Sequence, residues 1–257
     1  MHIGTPARFA RSALTGLALV GLAGIAPLAA QQGAGEGFLF RPPPGTLTLY
    51  GGYAAPFARG GVFDLTTENL TVDRADFRSG SFGMDLSFTV RPRAELVFGF
   101  QRATSRTPSE FRDWVDNNNA PIEQVTRLQS MPLTASVRWY LKDRGRRIGT
   151  VAWVPATFVP YVSAGGGVVN YRFEQFGDFV DTTTLNIFPA QLRTSGWSAA
   201  AQLGAGAQWN LNQRWLVTGE LRYLHARGKP DEFGSDFSGY DVNLSGVSTL
   251  VGITVRF

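Results

Sequence analysis

The sequence contains no cysteine, so histidine, serine, the carboxylates and arginine are the side chains available for chemistry. Thiolate metal sites, disulfides and a cysteine nucleophile are thereby excluded. Two histidines, His2 and His225, are too few for a multi-histidine metal centre. His225 stands in Leu224-His225-Ala226-Arg227-Gly228, with Ser235 and Ser238 in the stretch that follows. A histidine base needs a hydroxyl nucleophile within reach to run acyl transfer, and nothing in the spacing brings either serine to it. Asp113, Asp116, Asn117, Asn118, Asn119 and Glu123 supply oxygen ligands of the kind Ca²⁺ prefers. They lack the glycine-centred spacing of a calcium loop, and Asn-rich turns arise for backbone reasons alone. Gly165-Gly166-Gly167 has neither the lysine nor the following helix of a phosphate loop. It reads instead as a bend or a close approach within a strand. No catalytic residue, metal or cofactor is expected.

The remaining chemistry-bearing set is electrostatic: Asp85, Glu95 and Glu220 against Arg138, Arg222 and Arg256. What these residues do depends on the elements that carry them. The chain has 257 residues, 30 of them glycine, 12% aromatic and only 17% charged, where a soluble domain has roughly 25% charged residues. Apolar and polar residues alternate with period two in seven segments and poorly in an eighth, the signature of strands with two unlike faces. From Trp197 to Trp209 the odd positions read Trp, Ala, Ala, Leu, Ala, Ala, Trp, while the even positions carry Ser198, Gln202 and Gln208 among small residues. Twelve steps span ~40 Å; tilted by ~40°, they rise ~30 Å, the apolar band of a membrane barrel with its two aromatic girdles.

The other segments repeat this plan. Val247 to Phe257 sets Val251, Ile253, Val255 and Phe257 opposite Thr254 and Arg256. Ser81 to Val90 opposes Phe82, Met84, Leu86 and Phe88 to Asp85, and Ala94 to Ala103 opposes Leu96, Phe98 and Phe100 to Glu95. Leu128 to Leu141 opposes Leu133, Val137 and Trp139 to Arg138, and Trp215 to Ala226 opposes Trp215, Leu221 and Tyr223 to Glu220 and Arg222. Thr46 to Ala55 is weaker, and in Phe158 to Phe173 the faces are not assignable. Short turns at 91–93 and 210–213, and a longer one at 142–155, alternate with long polar loops at about 56–78, 105–124, 174–194 and 229–240.

The first residues read as an address. Arg8 and Arg11 precede an apolar stretch from Ala13 to Ala30, broken by Thr15, glycines and Pro27, as in a cleavable secretory signal peptide. Its removal leaves 227 residues and lowers the formal charge from +4 to +2. A near-neutral chain gives no reason to expect nucleic acid as a partner. Residues 1–30 are thus assigned to the signal peptide, 31–45 (with Pro42-Pro43-Pro44) to a stiff periplasmic lead-in, and 46–257 to an all-β, eight-stranded antiparallel up-and-down transmembrane β-barrel. A soluble ligand-holding barrel turns its apolar face inward; secretion, tryptophan brackets and loop asymmetry favour the inverted arrangement.

The ending Leu250-Val251-Gly252-Ile253-Thr254-Val255-Arg256-Phe257, together with Pro160-Tyr161-Val162-Ser163-Ala164 running into the glycines, resembles the small OmpA/OmpX/OmpW-type barrels over about residues 45–257. The resemblance implies a location in the cell outer membrane, contact with its lipids and lipopolysaccharide, and delivery to the outer-membrane assembly machinery through Phe257. A monomer is expected. Because the sequence ends at Phe257, the peptidoglycan-binding domain that follows some such barrels is not expected. Lipid A deacylases, barrels of similar size, carry a His-x-Ser-Asn motif; here Arg227 and Gly228 stand where the serine and asparagine would be.

Eight strands enclose a space that side chains just fill, and buried charges are tolerated there when paired. The six lumen charges are therefore expected to form a plug of salt bridges joined by Tyr50, Tyr140, Gln202 and Gln208. Trp139, Trp197, Trp209, Trp215, Tyr223 and Phe257 are expected in the aromatic girdles. His225 faces outward at the interface, and Lys142, Arg144, Arg146 and Arg147 form a solvated basic patch on the periplasmic side. The expected role is structural or surface-interacting, with extracellular loops available for binding. A narrow solute channel and a divergent deacylase-like barrel are the alternatives.

Overall fold

The computed structural model describes residues 38–149, 152–181, 184, 186–228 and 239–257. The expected signal peptide, the first part of the lead-in, and Ser235 and Ser238 lie outside the described residues. Eight strands close a ring: β1 (Gly45–Pro56), β2 (Ser79–Arg91), β3 (Ala94–Val115), β4 (Pro121–Tyr140), β7 (Phe158–Val180), β8 (Ile187–Asn210), β9 (Trp215–Gly228) and β11 (Gly246–Arg256). Each pairs antiparallel with its neighbour in that order, and β11 returns to β1 from Thr46↔Arg256 to Pro56↔Gly246. Closure leaves no unpaired sheet edge around the ring, a condition for crossing hydrocarbon with strands. None of the described helices is long and apolar enough to cross a membrane.

Between these strands lie a helix α1 (Gly61–Asn69), a 3₁₀ turn (Arg74–Phe77), a hairpin of β5 (Gly145–Ile148) and β6 (Ala152–Pro155), and a short β10 (Val242–Asn243) that pairs with the end of β9. The long turn expected at 142–155 therefore contains a hairpin. The lead-in is tied to it: Leu39 and Trp153 exchange backbone hydrogen bonds of 2.8 and 2.7 Å.

Two of the expected loops are mostly strand. β3 and β4 run on to a tight connection at 116–120, and β7 and β8 stay paired as far as Val180↔Ile187, so residues 105–124 and 174–194 belong largely to the sheet. β2 leaves β3 at Ala103, and β9 leaves β8 at Ala200. Above those points β3, β4, β7 and β8 continue as a four-stranded extension. Their outer face there is largely polar and their inner face mixes Ser105, Ser109, Gln124 and Thr126 with apolar residues, so the hydrophobic alternation that marks a strand in lipid is missing from the sequence.

The inner face of this extension carries an apolar core. The β1–β2 connection folds back and inserts Ala58, Val62, Phe63, Leu70, Val72 and Phe77 against Leu128 of β4, Val169, Tyr171 and Phe173 of β7, Ala226 of β9, Val242 of β10 and Leu244. The Phe63 ring meets Phe77 at 5.0 Å and Phe173 at 5.7 Å, both edge-on, a geometry that aromatic quadrupoles favour. Thr66 accepts a 3.0 Å hydrogen bond from the Gln175 side chain. The polar loop expected at 56–78 is in fact a packed insert.

Candidate functional site

Below the insert, strand parity sends polar side chains to the axis. On β7 it is the odd positions Val159, Tyr161, Ser163, Val169, Tyr171 and Phe173 that are buried, which assigns the faces of that strand. Gly165 and Gly167 face inward too; a Cβ at Gly167 would stand 2.8 Å from the Thr134 Cα, so glycine lets β7 lie close on β4.

Asp85, Glu95, Arg138, Glu220 and Arg222 are all at most 5% exposed. Asp85 accepts hydrogen bonds from Arg138 Nη2 and Arg222 Nη2, each at 3.1 Å, and from the Tyr50 hydroxyl at 2.9 Å. Glu220 accepts from Arg222 Nε at 2.9 Å, Tyr161 at 2.7 Å and Arg138 Nη2 at 3.4 Å. Glu95 accepts from Tyr140 at 2.7 Å and Ser87 at 3.0 Å, and Gln208 donates to the Tyr140 oxygen at 3.0 Å. Gln202 accepts from Thr134 at 3.0 Å. The guanidinium of Arg138 also stacks on Tyr161 at 4.5 Å, and that of Arg222 on Tyr50 at 5.5 Å.

Arg256 does not join this set. Its guanidinium hydrogen-bonds the Gln213 carbonyl at 3.1 Å and Asn210 Oδ1, and lies 5.7 Å over the Trp153 ring. It fastens the last strand to the β8–β9 turn and the hairpin. The third cation is Arg144, which pairs with Glu95, donates to the Pro92 carbonyl at 3.2 Å and to Thr89 at 3.1 Å, and lies 5.2 Å over Tyr140. Arg144 is therefore not part of a solvated patch. It reaches the axis from the turn after β4, a position that strand periodicity does not address. Three carboxylates still meet three guanidiniums.

The outer wall is apolar. Leu49, Phe82, Met84, Phe88, Phe98, Leu133, Val137, Val162, Leu203, Leu221, Val251 and Ile253 are exposed around the ring. Trp139, Trp197, Trp209, Trp215, Tyr223 and Phe257 are exposed as well, with Trp197 and Trp209 bracketing the apolar stretch of the outward face of β8. A belt this large has no place on a water-soluble monomer.

His225 is exposed on the outward face of β9, opposite Ala201. Its Nδ1 lies 3.2 Å from the hydroxyl of Ser245, a residue that sequence spacing did not single out. Ser245 is buried, and its hydroxyl also accepts from the Ala226 N–H at 3.2 Å and bonds the Ala226 carbonyl at 3.3 Å. That hydroxyl bridges the irregular junction of β9, β10 and β11. Asp116 accepts from the N–H groups of Asn118 (2.8 Å) and Ala120 (2.7 Å), so this acidic stretch is a carboxylate-capped turn. Among the described residues, no group of three or more His, Cys, Asp or Glu is placed to hold a metal ion.

A closed eight-stranded sheet, greasy outside and ionic inside, defines a class: the chain folds as a small transmembrane β-barrel. Solved structures of similar plan include the outer membrane protein OprG from Pseudomonas aeruginosa (14% identity, 85% of this chain and 99% of that one, TM-score 0.46) and Neisserial surface protein A (9%, 83% and 97%, TM-score 0.43). Another is outer membrane protein W of E. coli (16%, 84% and 100%, TM-score 0.35). No protein-family model matches the sequence. No curated protein matches it either.

Proposed function

We propose that the protein is a structural or surface-interacting barrel, its lumen closed in two layers and its extracellular end available for binding. The observation that carries this reading is the stacking of two unlike obstructions on one axis. The lower is the ionic set around Asp85, Arg138 and Glu220; the upper is the apolar insert around Phe63. Between them lies a cavity of about 60 Å³, lined by residues that include Phe77, Gln101, Leu128, Gln202 and Arg222. That is room for a few water-sized occupants, since one water needs roughly 10–15 Å³ on this measure.

A role in catalysis is not part of the proposal. Arg227 and Gly228 occupy the deacylase motif positions, and the hydroxyl beside His225 is buried and engaged with backbone. Outer-membrane lipids and lipopolysaccharide are the proposed surroundings, the assembly machinery is proposed to read Phe257, and the barrel is proposed to act as a monomer. Planar-bilayer recording of the purified protein, run beside mass spectrometry of lipid A incubated with it, tests the whole reading. We expect no sustained solute-sized conductance and no released fatty acid. A steady open level would replace the closed lumen with a channel, and fatty-acid release abolished by His225→Ala would replace it with an enzyme.

A further inference from the structure

The end of the ring away from the four-stranded extension holds a charge excess that the lumen does not absorb. Its connections are the lead-in at 38–44, the turn at 92–93, the segment 141–157 and the turn at 211–214. Together with Arg91 at the end of β2, they carry eight arginines and lysines against one acidic side chain, Asp143. Asp143 is engaged by Arg93 at 2.6 Å, and Arg144 is engaged by Glu95. Arg41, Arg91, Lys142, Arg146 and Arg147 are exposed, and none of them forms an ion pair among the described residues. Four of these five have an exposed large apolar side chain next to them in the chain: Phe40, Val90, Leu141 and Ile148.

Arg91 and Arg147 line one groove of about 400 Å³ between the lead-in, the β2–β3 turn and the β5–β6 hairpin. The groove is held together from several sides. Trp153 lines it, is buried, and has the Arg256 guanidinium 5.7 Å over its ring. Leu39 is bonded to the Trp153 backbone, and Arg144 donates to Thr89 at 3.1 Å, both of these last two also lining the groove. The groove reaches the outer wall at Val90, which shares the parity of Phe82, Met84 and Phe88 and is 66% exposed. Arg91 pairs in register with Ala94, and Ala94 with the outward Trp139. In a bilayer, Arg91 therefore stands at the level of the aromatic girdle, where headgroups meet hydrocarbon.

Unpaired guanidiniums beside exposed apolar side chains make opposite demands on their surroundings. Water leaves the apolar groups exposed, and hydrocarbon alone leaves the cations unmet. An amphiphile with an anionic head answers both. We propose that the groove seats the phosphate headgroup of an anionic phospholipid from the surrounding leaflet, with Arg91 and Arg147 as the phosphate-binding residues and Val90 beside the acyl chains. Arginine suits the task because its planar fork donates two parallel hydrogen bonds to a phosphate and is less strongly hydrated than lysine. Asp143 also lines the groove, and its pairing with Arg93 offsets the repulsion that a bare carboxylate would exert on an anion. The proposal rests on the barrel reading, with this end at the membrane surface.

The test uses the purified full chain inserted into phosphatidylcholine vesicles that contain a minor fraction of phosphatidylglycerol. Retained lipid is counted by native mass spectrometry after extraction. Insertion is scored separately by the heat-dependent gel shift of a folded barrel. Wild type should retain phosphatidylglycerol well beyond its share of the vesicle. The double variant Arg91→Gln, Arg147→Gln should lower that retention by at least about tenfold, and either single variant should give a smaller drop. Arg78→Gln with Arg227→Gln, at the opposite end, should retain lipid as wild type does. Three results from an inserted barrel overturn the proposal alone: wild-type retention in proportion to vesicle composition, a double variant that retains lipid as wild type does, or an equal loss from the opposite-end pair. Displacement by inorganic phosphate or by soluble polyglutamate at concentrations comparable to the lipid overturns the lipid as the occupant. Failure to insert contradicts the barrel reading itself.

Discussion

Asp85 on β2 and Arg138 on β4 meet at 3.1 Å inside the barrel, with Arg222 of β9 at the same distance from the same carboxylate oxygen. β2 is a sheet neighbour of neither β4 nor β9, so these bonds cross the lumen and tie non-adjacent strands together. Removing one partner of a buried pair leaves the other charge uncompensated, which typically costs about 3–5 kcal/mol. Asp85→Asn is therefore expected to lower unfolding stability in detergent by about that much, read from denaturant midpoints. A loss under about 1 kcal/mol, the size seen for solvated pairs, would mean that water already fills the lumen.

The insert makes a second, separable prediction. Phe63 is fully buried between Phe77 and Phe173, and truncating such a ring costs about 3–5 kcal/mol. Phe63→Ala should release residues 61–69 to limited proteolysis while the gel shift of the folded ring persists. Protection equal to wild type would show that the segment is held by something other than this packing.

Glycine substitutions should split by position. Gly51 and Gly219 have nothing within 4 Å of an added Cβ, whereas at Gly167 the Thr134 Cα stands 2.8 Å away. Alanine in a strand ordinarily stabilises relative to glycine by roughly 0.5–1 kcal/mol. Gly51→Ala and Gly219→Ala should follow that rule, and Gly167→Ala should reverse it, measured by thermal unfolding. Equal effects at the three sites would show that β7 and β4 do not approach so closely.

Outside the membrane span, Arg93 Nε donates a 2.6 Å hydrogen bond to Asp143. That bond, with the guanidinium charge behind it, holds the Asp143 carboxyl below its ordinary value. A carboxyl depressed on folding adds stability above its unfolded value, about 3.9, and loses it as pH falls through the folded one. The stability gap between wild type and Asp143→Asn should therefore be small at neutral pH, as for any exposed pair, and close below about pH 3.9. A gap that widened in acid would contradict the assignment.

The ring was legible in the sequence because a strand in lipid must alternate, and Trp197 to Trp209 or Val247 to Phe257 state that alternation plainly. Five of the six expected lumen charges follow from the same parity. Arg144 takes the place expected of Arg256 because it reaches Glu95 from a turn, which parity does not address, while Arg256, at the strand end, is held by Gln213 and Asn210. The upper halves of β3, β4, β7 and β8 were hidden because their outer face is largely polar and their inner face mixes polar with apolar residues, leaving no clear period to detect. Val62 and Phe63 sit among Asp64, Thr66, Thr67, Glu68 and Asn69, so the segment reads as a loop until the inner wall of Leu128, Val169 and Phe173 is known. The Ser245 contact to His225 arises from chain irregularity, which spacing does not reveal.

The absence of native cysteine allows the central claim to be tested one site at a time. Single cysteines at Ala199, Ala201, Leu203 and Ala205, and at Ser198, Ala200 and Gln202, would be spin-labelled in the vesicle-inserted protein and probed by power saturation with oxygen and a water-soluble nickel chelate. The account predicts high oxygen collision at every odd site and low access to either reagent at every even one. Odd sites shielded from oxygen, or no alternation along β8, would contradict it.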